Sequence, residues 1–227
     1  MGTSKGYIAP TRIQWTQAKR AVSQMLRDGD PRFTKKAASK FATAMKSDAS
    51  YGGTFTSAAA GILGLSKNIA SHGIDYALNQ AQRSDLIGKP PEEIWNELLN
   101  EYTHSGATAE DSLAADALSK ALDNLQIIDL EQLGNISQEA LLKEMLVEFI
   151  AISFDFRFAE KIGKDRSPAE THRILNEMQD YIRSSVYENI TFNEIKDINF
   201  ANLSGNQYVG KALNDAFSVF EDLYVEE

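Results

Sequence analysis

Apolar positions recur along this chain at intervals of three and four residues, the spacing that places side chains on one side of an α-helix. Once past residues 1–11, which lack any such pattern, Ile13, Ala18, Val22, Met25 and Leu26 form a first stripe. Asp30 followed by Pro31 reads as an N-cap and a proline at the first helical position. The helix they open carries Phe33, Ala37, Phe41 and Met45 on one face. Gly52 and Gly53 interrupt the pattern, and the small-residue run from Ala58 to Leu65 then suits a close-packed helix ending near Gly73. Gly88-Lys89-Pro90-Pro91 stops the chain and restarts it. Glu92 and Glu93 sit at the positive end of the next helix, whose stripe is Ile94, Leu98, Leu99 and Tyr102.

Thr108 with Asp111 resembles a capping box, and Leu118, Leu122 and Leu125 follow on one face. Ser137 opens a helix in which Leu141, Leu142, Met145, Leu146, Phe149, Ile150, Phe154, Phe156 and Phe158 surround most of the circumference. A helix that is apolar nearly all round is a buried, central one. Ser167-Pro168-Ala169-Glu170 combines an N-cap serine, a first-turn proline and a third-position glutamate. The partial alternation of ITFNEIKDINF predicts an extended segment. A last helix from Tyr208 to Leu223 buries Ala212, Leu213, Ala216, Phe217 and Phe220. Together these elements predict an all-α fold: a single helical domain of about seven to eight helices over residues 12–227, behind a flexible N-terminal tail at 1–11. Residues 88–91 are the point where that domain could divide.

Composition narrows the class. A hydrophobic content of 43% with 24% charged residues suits a soluble globular domain. The longest tight apolar stretch, MLVEFIAISFDF, is broken by Glu148 and Asp155 and falls short of the roughly 18 residues of a membrane span. The start has no apolar signal core. The absence of cysteine excludes disulfides, thiol nucleophiles and thiolate metal sites, and the expected setting is cytoplasmic, away from membranes. Charge is uneven. Residues 1–50 carry ten Lys and Arg against three Asp and Glu, a balance of +7 in a chain whose net charge is −9. Such a basic front could steer nucleic acid, through Lys35, Lys36 and Lys40, or meet an acidic surface.

Catalytic patterns are sparse. His72, His104 and His172 lie on different segments, with no partner at metal-ligand spacing. Glu144 and Glu148 are four apart on the most apolar helix, a spacing that could hold a metal or serve acid and base, but the expected place for them is that helix's wet edge beside Lys143. No Gly-x-Ser-x-Gly elbow occurs, and the glycines near residue 52 lack the Gly-Lys-Ser/Thr of a phosphate loop. Tyr7, Trp15 and Trp95 could stack on bases, although aromatic residues at helical spacing usually belong to the core. No catalytic residue, cofactor or metal is expected.

The tail MGTSKGYIAPT poses a different question. Initiator methionine is removed when a very small residue follows, so Gly2 could present a free, unhindered amine behind which Thr3, Ser4, Lys5 and Gly6 are polar. N-myristoylation would need Ser or Thr at position 6, where this chain has Gly6. The Met1-Gly2-Thr3-Ser4 start, the segment DLIGKPPEEIWNELLNEYTHSGATAEDSLAADALSKALDNL and the stretch NLSGNQYVGKALNDAFSVFEDL together resemble QatB. That family is the small subunit of the four-gene Qat anti-phage systems of bacteria. The resemblance implies a non-enzymatic subunit working beside a QatA-like ATPase and a QueC-like enzyme. It further implies that Gly2 is the acceptor for a deazaguanine joined to the chain by the QueC-like partner, with Thr3 and Ser4 recognised beside it.

Overall fold

A computed structural model describes residues 13–48, 51–192, 194–200 and 202–224. The described residues form nine α-helices: α1 (Ile13–Asp28), α2 (Pro31–Lys46), α3 (Gly53–His72), α4 (Ile74–Gln80), α5 (Pro91–Tyr102), α6 (Ala109–Asn124), α7 (Gln138–Gly163), α8 (Pro168–Asn189) and α9 (Leu203–Asp222). Short 3-10 turns at Ser84–Leu86, His104–Gly106, Leu130–Asn135 and Ile195–Asp197 link them, and no strand occurs among the described residues. The fold class is all-α. Its count exceeds the expected seven to eight because Gly73, at φ 83° and ψ 170°, ends α3 and restarts the chain as α4. No described helix is long and apolar enough to cross a membrane.

The capping chemistry sets most boundaries. Asp30 accepts from the Arg32 N–H ahead of Pro31, Ser137 from Ala140, and Ser167 from Glu170 ahead of Pro168. Thr108 and Asp111 form the reciprocal box at the start of α6. Each satisfies backbone donors that a helix start leaves open. Two expectations fail. ITFNEIKDINF is not extended throughout. Ile190, Phe192, Ile195 and Phe200 each drop into the core around the 3-10 turn, so the alternation reflects separate plugs and not a pleat. Helix α9 begins five residues before Tyr208, at Leu203, capped by the Asn202 side chain.

Helix α7 occupies the centre. Leu141, Met145, Phe149, Phe154 and Phe158 are all buried, and α6, α8, α3, α1 and α9 pack around it. Phe41, Phe154, Phe158, Phe217 and Trp15 meet edge to face or tilted, at centroid distances of 4.9 to 6.5 Å. Phe55 stacks on Phe149 at 4.0 Å. One apolar core thereby takes in residues from α1 to α9.

Candidate functional site

Gly2, Thr3 and Ser4 lie outside the described residues. The first described residue, Ile13, is 72% exposed at the head of α1. Of the expected nucleic-acid contacts on α2, Lys35 is exposed, while Lys36 and Lys40 are half-buried. All three stand off the stripe of Ala37, Phe41 and Met45 that packs inward.

The carboxylates of α7 are not on a wet edge. Glu144 is 2% and Glu148 3% exposed. Three helices each bring two polar side chains four residues apart, which is one helical turn: Lys120 and Asn124 from α6, Glu144 and Glu148 from α7, Arg183 and Tyr187 from α8. The Arg183 guanidinium donates to both oxygens of Glu144 at 2.7 and 2.8 Å and to Glu148 Oε1 at 2.7 Å. The Asn124 amide donates to Glu144 and Glu148 at 2.8 Å each, and the Tyr187 hydroxyl to Glu144 at 2.6 Å. Lys120 Nζ lies 3.0 Å from Glu148 Oε2. Two acids meet two bases, so the cluster is neutral, and each of the four carboxylate oxygens faces a donor or a cation. Burial pushes the Glu144 carboxyl up, but Arg183, Tyr187 and Asn124 together hold it below the usual range. Such a pair is ill suited to exchange protons with a substrate. It clamps α6 and α8 to α7 instead.

Further along α7, Asp155 accepts from the Gln179 amide at 2.8 Å through one oxygen, while its other oxygen is buried without a hydrogen bond. Burial raises its carboxyl to about 6, against the opposing pull of Gln179 and Lys120. The histidines are scattered. His72 stacks on Tyr76 at 4.3 Å, His104 Nδ1 is 3.3 Å from Asp111, and His172 is exposed. No group of three His, Asp or Glu able to hold a metal occurs among the described residues. Trp15 is 1% exposed and belongs to the core.

A groove of about 520 Å³ lies where α3, the start of α7 and the Ile195–Asp197 turn meet. Its polar groups serve mostly to join its walls. Ser66 donates to the Leu133 carbonyl, Lys67 to the carbonyls of Lys196 and Ile198, and Gln138 to that of Leu63. Sequence reasoning saw Glu144 and Glu148 but missed Lys120, Asn124, Arg183 and Tyr187. Their four-residue spacing is visible in each segment, but which segments face each other depends on tertiary register.

The family model described as Qat anti-phage system associated protein QatB matches residues 36–220, from the middle of α2 to the last turns of α9. No curated protein and no solved structure matches the chain. The matched stretch contains the central α7 and every residue of the three-helix polar cluster, so this chain belongs to the QatB family, a component of the Qat anti-phage system.

Proposed function

We propose that this chain is a non-catalytic, cytoplasmic subunit of a Qat complex, docked to a QatA-like ATPase, and that its N-terminal glycine is the substrate of a QueC-like partner. The family match over residues 36–220 carries this reading. The saturation of Glu144 and Glu148 by Arg183, Asn124, Tyr187 and Lys120 supports the non-catalytic part, because the most promising acid and base of the sequence are occupied in holding helices together. In the proposed step Met1 is first removed. The partner activates a deazaguanine carboxylate with ATP: a carboxylate oxygen attacks the α-phosphorus, the α–β phosphoanhydride bond breaks, pyrophosphate leaves and the acyl adenylate forms. The neutral Gly2 amine attacks the acyl carbon, an amide bond forms, AMP leaves and the amine proton passes to a base. Glycine suits the role because its α-carbon carries no side chain to obstruct that attack.

N-terminal peptide mass spectrometry tests this on protein expressed with its neighbouring genes. The expected result is a deazaguanine-sized mass on Gly2 when the QueC-like enzyme is active and its loss when that enzyme is inactivated. Gly2→Leu, which retains Met1, abolishes it too. An unmodified end in every sample would sink the proposal.

A further inference from the structure

The hairpin of α1 and α2 carries a group of cations that no described acid pairs with. Two 16-residue helices are joined by Gly29 and Asp30 alone, and Gly29 at φ 62° takes the tight turn. Ala18, Val22 and Met25 of α1 and Ala37, Phe41 and Met45 of α2 face inward. On α1, Arg20 and Arg27 are both exposed and stand seven residues apart on the outward side, roughly 10 Å along the axis, with exposed Lys19 beside them. On α2, exposed Lys35 and half-buried Lys36 stand one turn past the N-terminus, off the inward stripe. None of Lys19, Arg20, Arg27, Lys35 and Lys36 has an ion pair among the described residues. The hairpin's other cations include paired ones, Arg32 with Asp30 at 2.9 Å and Lys46 with Glu221 at 2.8 Å, so the contrast lies in these five. Of the thirteen Lys and Arg after residue 50, eight sit in ion pairs: Arg83, Lys89, Lys120, Lys143, Arg166, Arg173, Arg183 and Lys211.

We propose that the outward face of this hairpin binds the phosphate backbone of a nucleic-acid duplex through Lys19, Arg20, Arg27, Lys35 and Lys36, without reading base sequence. Charge says the partner is anionic, and the surrounding side chains say which kind. A protein interface is organised around buried apolar anchors. Among the described residues of the hairpin only Ile13, at its far end, is an exposed large hydrophobic. Single strands are held by stacking bases on aromatic rings, and this face offers none: Trp15 and Phe41 are buried and Phe33 packs against the core. Among the cations of α1 stand exposed Thr16 and Gln17 and half-buried Gln24, neutral groups able to donate to phosphate oxygens. The net charge of −9 opposes approach at long range, but at about 0.15 M salt screening confines that repulsion to roughly 8 Å and the local patch decides.

The test uses the full-length chain and a fluorescein-labelled 20-bp duplex of mixed sequence, with the corresponding single strand, read by anisotropy across a salt series. Five phosphate contacts set a log–log salt slope of about −4.5, so affinity falls by roughly two to three decades between 50 and 200 mM salt. An unrelated duplex competes equally well. Arg20→Glu with Arg27→Glu, or Lys35→Glu with Lys36→Glu, lowers affinity at least tenfold at 50 mM salt and flattens the slope by about 2. Lys89→Glu with Lys196→Glu, both exposed and on elements that do not pack on the hairpin, leaves binding within about twofold. Circular dichroism confirms that each pair folds. Lys5 and Arg12 precede the hairpin, so the variants and not binding alone assign the face. Absence of duplex binding at 50 mM salt overturns the proposal. So does binding that the hairpin pairs leave unchanged, a preference for the single strand, or a hairpin-dependent attachment to an acidic protein with none to the duplex. The assay needs no modification of Gly2, so its outcome is independent of that reading.

Discussion

Asp155 is a carboxylate with half of its hydrogen bonding supplied. Its carboxyl rises from the ordinary 3.8 to about 6, so the folded state holds the proton more tightly than the unfolded chain does. Stability conferred by that proton is full below 3.8 and is lost as pH rises through about 6. Glu144 has the opposite sign: its value is lowered, so its contribution is full above 4.5 and is lost as pH falls through the folded value. The two groups therefore pull stability in opposite directions across the acid range. Asp155→Asn keeps the Gln179 contact and removes the upper limb, raising stability at pH 7.5 by about 1 to 2 kcal/mol after allowance for partial exposure. Urea unfolding of both proteins at pH 5 and 7.5 checks this, and an unchanged difference between the two pH values would refute it.

Among the elements, α1 shows how far the apolar pattern carries. Its helical period and most of its inward face were legible, since Ala18, Val22 and Met25 are buried, but its first turn was not: Ile13 is 72% exposed, and Trp15, off the expected stripe, is 1% exposed. Trp15 packs on Phe41 and Phe158, and the Arg157 guanidinium covers its ring at 4.8 Å. Trp15→Ala is expected to cost about 3 to 5 kcal/mol, and Ile13→Ser no more than about 0.5 kcal/mol, by chemical denaturation. Caps made α2, α6, α7 and α8 legible because the signal is local: a side chain meets a backbone donor two or three residues away. The start of α9 was hidden because Ser204, Gly205 and Asn206 are poor helix formers. Gly205 is required there by contact, since a Cβ would lie 2.8 Å from Phe200 Cα. Among the site residues, Glu144 and Glu148 were legible as a pair and wrongly placed at the surface, for their partners come from helices 20 to 43 residues away.

At the scale of the whole molecule, the polar cluster is the point where α6, α7 and α8 agree. Removing Arg183 alone leaves two carboxylates at 2 and 3% exposure with only Lys120, Asn124 and Tyr187 to face. Arg183→Ala is expected to destabilise the fold by about 3 kcal/mol. High salt will not imitate the substitution, because buried pairs are poorly screened. Thermal unfolding in 0.1 and 1 M salt separates this from a surface pair, for which salt and substitution would act alike.

The spacing of that cluster has a mechanical meaning. Arg183 and Tyr187 are set one turn apart, as are the two glutamates they grip, so the cluster works as a key cut for a single position. Were α8 to slide by one turn, about 5.4 Å, Arg183 would no longer bridge both acids and one buried carboxylate would lose its cation. The apolar strip of Met178, Ile182 and Val186 would resist such a slip far less, one greasy side chain being a fair substitute for another. Helices α7 and α8 therefore behave as a ruler fixed in register, and any motion carried through this protein must pivot around that pair instead of shearing through it.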